Sequence, residues 1–240
     1  DDLSFNYPQQ KELFTDLDLQ MEEGAIYGLL GKNGAGKTTL LKIIAGLRFP
    51  QKGNCHAFGY ETERRCPKFL NKIYFVPEEF YTPPIRMQEF INSFAPFYPD
   101  FSYDDLEEYI EEFEIPEKGN LASFSYGQKK KFLVAFGLAT NCKVLILDEP
   151  TNGLDIPSKS KFRQVLASSI TEDRSFIIST HQVRDIDQLI DPIVILDQGE
   201  IIFNYSLDEI SEKLALNIVD EMPEKDVLYY ESTLGGYAVV

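Results

Sequence analysis

The spacing of apolar residues changes along this chain, and each change marks an element. Residues 3–30 read as strands: LDLQM (17–21) alternates, and AIYGLL (25–30) runs unbroken into a glycine-rich turn. Residues 37–46 follow helical spacing through Leu40, Leu41, Ile43 and Ile44, with Gly46 near the end. KIYFVP (72–77) predicts another strand, stopped by Pro77.

The middle of the chain is patterned differently. Residues 82–140 hold most of the helical signal, and SYDDLEEYIEEF (102–113) is its clearest stretch. Leu106, Tyr109, Ile110 and Phe113 follow i, i+3, i+4, i+7, which gives one buried face. Ser102 and Asp105 have the spacing of a capping box, and the acids of the first turn suit the helix dipole. This region predicts a helical insertion. Beyond it, strands and helices alternate again. VLILD (144–148) and SFIIST (175–180) read as buried strands, SKSKFRQVLASSI (158–170) and QVRDIDQLI (182–190) as helices, and IVILDQGEIIFN (193–204) as a hairpin turning at Gln198-Gly199. Continuous apolar strands alternating with helices predict an α/β fold with a mostly parallel sheet covered on both faces. Residues 1–205 read as one domain with the helical subdomain at about 82–140 inserted. Residues 206–240 read as a small appendage with a short helix followed by VLYYES and YAVV.

Composition narrows the classes. A chain of 240 residues, 43% hydrophobic, can bury a real core. No apolar run approaches the roughly 18 residues that suggest a membrane span, and no stretch reads as a signal peptide. A net charge of −16 disfavours nucleic acid and anionic lipid, although Lys129, Lys130 and Lys131 offer a local basic run. Three cysteines without metal spacing read as reduced cytosolic thiols.

The glycine-rich turn carries chemistry. GKNGAGKT (31–38) fits G-x-x-x-x-G-K-[ST] between a predicted strand and a predicted helix, the context that identifies a phosphate-binding loop and hence a P-loop NTPase. Gly31, Lys32, Asn33, Gly34, Ala35 and Gly36 would wrap backbone N–H groups around phosphate oxygens, with Gly34 and Gly36 supplying conformations open to glycine. The helix start adds its positive dipole end. Lys37 is expected at the β- and γ-phosphates, Thr38 at Mg²⁺ and Thr39 at the α-phosphate. Asp148 and Glu149 close a buried strand at the sheet edge where ligands bind in α/β folds. Asp148 is placed to hold Mg²⁺ through water, and Glu149 to take a proton from an attacking water. His181 follows another strand end on the same edge, where an imidazole could bond a γ-phosphate, orient the water or serve only structure. His56 reads as structural.

These motifs, in this order, resemble the nucleotide-binding subunit of ABC transporters over about residues 3–205. FSYGQ (124–128) resembles the family signature, TNGLD (151–155) the loop carrying an aspartate, here Asp155, and STH (179–181) the switch histidine. LSFNYP places Tyr7 where the family stacks an aromatic ring on adenine. The resemblance implies ATP and Mg²⁺ as ligands. It implies a second ATP-binding subunit as head-to-tail partner, and a transmembrane permease that holds the chain on the cytoplasmic face of the membrane. Ser125, Gly127 and Gln128 would then meet the nucleotide of the partner, and the three lysines read as a solvated or structural helix face. EPTNGLDIPSK and STLGGY most resemble ATPases of bacterial exporters.

Two positions depart from the family pattern. Tyr126 stands at the signature's first glycine, and Glu78 where glutamine usually contacts Mg²⁺; Glu78 is expected to ligate the ion directly or through water. Two rival readings stay open. One is a soluble ABC ATPase acting on a ribosome or DNA, disfavoured by a single phosphate loop and the acidity. The other is a module that holds ATP without turnover, disfavoured by Glu149 and His181.

Overall fold

The computed structural model describes residues 1–9, 11–214, 217–219, 229–233 and 236–239. It divides into two units, Asp1–Asn204 and Tyr205–Val240. The first unit opens with β1 (Leu3–Asn6), β2 (Glu12–Leu17) and β3 (Ile26–Leu30), then α1 (Lys37–Ile44). Two short strands, β4 (His56–Ala57) and β5 (Tyr60–Glu61), precede α2 (Pro67–Leu70) and β6 (Ile73–Val76). The helical insertion holds α3 (Met87–Phe94), α4 (Tyr103–Glu112) and the start of α5 (Tyr126–Ala139). After it come β7 (Val144–Asp148), α6 (Ile156–Ser169), β8 (Ser175–Thr180), β9 (Ile193–Asp197) and β10 (Glu200–Tyr205).

Six strands form one sheet in the order β10-β9-β3-β8-β7-β6, and the pairs β3 with β8, β3 with β9, β6 with β7 and β7 with β8 are parallel. β1 and β2 pair antiparallel in a separate two-stranded sheet. The pleat explains why the central strands carry unbroken apolar runs. Leu145, Leu147, Phe176 and Ile178 pack into the core shared with α4 and α5, while Ile146 and Ile177 point to the opposite core with α1 and the β1–β2 pair. β9 turns into β10 through Gln198 and Gly199, both at positive φ (48° and 85°), the turn the sequence predicts.

In α4, Leu106 and Ile110 are buried, with Phe113 just beyond. Ser102 caps it, its hydroxyl accepting from the Asp105 N–H at 3.1 Å. The box is half formed, because the Asp105 carboxylate accepts from Asn141 Nδ2 instead. Buried Arg174 donates to the carbonyls of Leu138, Cys142 and Ser169, satisfying C-terminal groups of α5 and α6.

Two predicted elements differ. The strand over residues 17–21 ends at Leu17, because Leu17 already pairs with Leu3, the first residue of β1, and no partner strand remains beyond it. The helix over 182–190 is a 3-10 turn at Val183–Asp185 followed by further turns. There the Asp185 carbonyl accepts from Arg163 and its carboxylate pairs with Lys159. Leu189 N–H therefore bonds Ile186 O, an i→i−3 contact, and Ile186 and Ile190 are buried without an α-helix.

The second unit contains α7 (Leu207–Lys213), capped by Ser206, and a three-stranded sheet ordered β11 (Asn217–Val219), β13 (Gly236–Val239), β12 (Tyr230–Thr233). Of the stretches VLYYES and YAVV, residues 227, 228 and 240 lie outside the described residues. No helix among the described residues is long and apolar enough to cross a membrane.

Candidate nucleotide site

The C-terminal ends of β3, β7 and β8 bring the candidate residues to one edge. Between β3 and α1 the chain makes the predicted loop. A Cβ at Gly36, whose φ is 108°, would lie 2.7 Å from the Phe14 ring, so both space and backbone demand glycine. Gly34 has φ 84° and nothing within 4 Å of its would-be Cβ, which leaves open space over the loop. No side chain caps α1. Its opening N–H groups and dipole are left for an anion. Lys37, only 7% exposed, donates to the carbonyls of Gly31 at 2.8 Å and Lys32 at 3.3 Å. Ala35 N–H closes the loop onto Lys32 O, and Asn33 is exposed. Tyr7 and Thr39 share a hydrogen bond of 2.9 Å, which sets the tyrosine beside the loop.

The acids form a bonded group. Asp148 is buried; Oδ2 accepts from Thr38 Oγ1 at 2.7 Å and Oδ1 from Ser179 Oγ at 2.5 Å. Glu149, at the strand end, adopts φ 46°. Such a conformation costs about 1–3 kcal/mol and persists only where the surroundings fix it. Here its N–H donates to Ser179 Oγ and Ser179 O. Glu149 Oε1 lies 2.9 Å from His181 Nδ1 and 3.6 Å from Lys37 Nζ. Glu149 Oε2 is buried without a protein partner. A buried carboxylate oxygen in that condition invites a hydrogen-bond donor such as water.

The signature residues lie elsewhere in the chain. Ser125 and Gln128 form a capping box at the start of α5: Ser125 Oγ accepts from Gln128 N–H at 3.2 Å, and Gln128 Oε1 from Ser125 N–H at 2.9 Å. Among the described residues, no hydrogen bond joins Ser125, Gly127 or Gln128 to residues 31–39. A Cβ on Gly127 would make ordinary contact with Gly153 O at 3.6 Å. Asp155 is exposed and caps α6, accepting from Ser158 N–H at 2.8 Å. Bonding to Ser158 holds its carboxyl below the usual range.

Glu78 is tied to the loop after Glu149. Its Oε1 accepts from Asn152 Nδ2 at 2.9 Å, and its carbonyl accepts from the Tyr126 hydroxyl at 2.5 Å. Tyr126 stacks on Phe80 with centroids 5.0 Å apart. The lysine run divides rather than forming a face. Lys130 is fully buried, Lys131 donates to Phe113 O at 3.0 Å, and Lys129 is half-exposed. Ser179, Asn152 and Lys130 are the contributors that motif reading misses. Ser179 could have been found from strand register, since it pairs with Asp148.

The residues present fit a nucleotide and a hard cation. Thr38 Oγ1 and Asp148 Oδ2 are adjacent oxygen donors of the kind Mg²⁺ takes. The uncapped α1 terminus, the glycine backbone and Lys37 form a phosphate cradle.

The family model described as ABC transporter matches residues 14–152. The ABC transporter ATP-binding protein YtrB of Bacillus subtilis is 30% identical over 205 residues, 84% of this chain and 70% of that protein. The bacitracin transport ATP-binding protein BcrA of Bacillus licheniformis is 30% identical over 218 residues, 88% of this chain and 70% of its own. A solved ATP-binding subunit of an ABC transporter superposes with TM-score 0.79 at 26% identity, covering 88% of this chain and 90% of that one. A dimeric ATP-binding cassette in a post-hydrolysis state with ADP and Pi shares the fold, with TM-score 0.74 at 22% identity over 86% of this chain and 97% of that one.

Proposed function

The chain belongs to the ABC transporter family as an ATP-binding ATPase subunit, and from that premise we propose that two ATP-binding subunits close head to tail on two nucleotides to drive a membrane-embedded exporter. The observation that carries the hydrolytic part is the state of Glu149: one oxygen is held by His181, and the other is buried and unpartnered. Glu149 takes a proton from the attacking water, and His181 fixes the carboxylate and faces the γ-phosphate. Lys37 releases the loop carbonyls to meet the phosphates. Tyr7 stacks on the adenine, Gly31 to Gly36 wrap the phosphates and Thr39 bonds the α-phosphate. Thr38 and Asp148 would hold Mg²⁺, with Glu78 reaching it through water. When bound, the ion offsets charge on the phosphate oxygens.

Ser125, Gly127 and Gln128, exposed or half-exposed at the start of α5, serve the nucleotide of the other subunit, with Asp155 beside them. The Ser125 hydroxyl accepts within the capping box and keeps its own hydrogen for a phosphate oxygen. The exporter direction rests on the EPTNGLDIPSK and STLGGY stretches, and the similarity to a bacitracin transport protein supports a transport role. In this reading the chain sits on the cytoplasmic face through its permease. Affinity purification of the tagged chain from detergent-solubilised native membranes tests it. A stoichiometric multi-span protein and MgATP hydrolysis by the complex are expected. Ribosomal or DNA-bound partners with no membrane protein would overturn it in favour of a soluble ATPase.

A further inference from the structure

We propose that Lys130 is a positioning residue for Glu149, and that Tyr126 and Asn152 tie it to the Glu78–Phe80 segment. The inference rests on Glu149 as the proposed base. Lysine is almost never fully buried unless it is paired. Here Nζ donates to two main-chain carbonyls, Glu149 O at 2.9 Å and Asn152 O at 3.0 Å, beneath the Tyr126 ring at 5.2 Å. Burial pushes its pKa down, and the carboxylates of Glu78, Glu149 and Asp148 oppose that push. One ammonium therefore sits in the field of all three acids.

The geometry gives it a task. Glu149 is held in a left-handed conformation from two sides: Ser179 takes its N–H, and Lys130 takes its carbonyl. Lys37 approaches Glu149 only through the side chain, at 3.6 Å, and in the proposed function it turns to the phosphates. Lys130 is anchored to main chain and stays. The same ammonium fixes Asn152, whose amide holds the Glu78 carboxylate, while Tyr126 holds the Glu78 carbonyl and stacks on Phe80. A displacement of residues 78–80 is thus passed to the turn that aims Glu149. The glutamate at 78 and the tyrosine at 126, departures when each is taken alone, belong to one cluster around this lysine.

The test uses the full chain with Lys130→Met, which keeps the stem, and Lys130→Gln, which keeps an N–H donor. Three quantities are read: kcat and KM for MgATP, affinity for a fluorescent ATP analogue, and hydrogen exchange at the amides of Asn152 and Leu154. We expect Lys130→Met to lower kcat about 100-fold, the scale of a misplaced catalytic group. Analogue affinity should change less than about threefold, and exchange at the two amides should rise at least about tenfold. Lys130→Gln should restore much of each loss, and it carries the test alone if the methionine variant does not fold. Unchanged kcat and exchange, or a parallel fall of affinity and kcat, would overturn the proposal. If the wild-type chain binds but never hydrolyses ATP, the functional reading fails, and the exchange data still decide the role of Lys130.

Discussion

Two helices, α1 and α5, begin at candidate nucleotide-site residues, and the chain treats their N-termini in opposite ways. α1 begins at a left-handed Gly36 with no side-chain cap, enclosed by Lys37, the acids at 148 and 149 and the Phe14 ring. α5 begins at an exposed Ser125 whose capping box with Gln128 satisfies the N–H groups of these two residues. The first terminus is a site the chain builds for itself. The second is capped from within the chain and lies at the surface, where the proposed partner would meet it. That contrast is what the proposed head-to-tail pair needs: each subunit would carry one half that binds nucleotide and one half that completes the other subunit's site.

The comparison breaks most sharply at Glu149. Glu149→Gln keeps the shape and removes the basic oxygen. Hydrolysis should fall about 100- to 10,000-fold, the usual contribution of a general base, with ATP affinity kept; measured turnover within tenfold of wild type would remove Glu149 from the base role.

Next come the two glycines. Gly36→Ala forces a Cβ against Phe14 at an unfavourable φ, and the resulting overpacking should cost about 1–3 kcal/mol in denaturant unfolding. Gly127→Ala lies in the first turn of α5 and meets only ordinary contacts, so the same unfolding curve should show no loss of stability. Its ATPase rate should nevertheless drop at least tenfold, roughly 1.4 kcal/mol at the barrier, because the methyl group occupies space meant for the other subunit's phosphate. Equal loss of stability in both variants would erase the distinction between the two termini.

The smallest effect belongs to a cap away from both. Ser102→Ala removes the bond to Asp105 N–H at the start of α4, and should cost about 1 kcal/mol of unfolding free energy with unchanged kcat. A change in kcat would mean that the insertion is coupled to the site through α4.

Much of the fold was legible because local pattern and tertiary demand agree. VLIL in β7 and FII in β8 are apolar without a break since both faces of these strands are covered, and the polar residues gather at the strand ends. The phosphate loop was legible because its conformations are written in glycines. What the sequence hid depends on distant partners. Alternation at residues 17–21 looked like strand, but β1 is only four residues long and Leu17 uses its last pairing position. Helical spacing at 182–190 was real as burial of Ile186 and Ile190, yet Arg163 of α6 takes the carbonyl that the fourth residue on would need. Lys130 sat in a run of three lysines with nothing local to separate it from its neighbours. Only the packing of α5 against the Glu149 turn does so.

The central claim is that each chain holds half of two sites. Light scattering of the purified Glu149→Gln chain, with and without saturating MgATP, tests it most directly. The account predicts a monomer without nucleotide and a dimer with it, and the dimer should be lost in the Gly127→Ala double variant. A chain that binds MgATP to saturation and remains a monomer would contradict it.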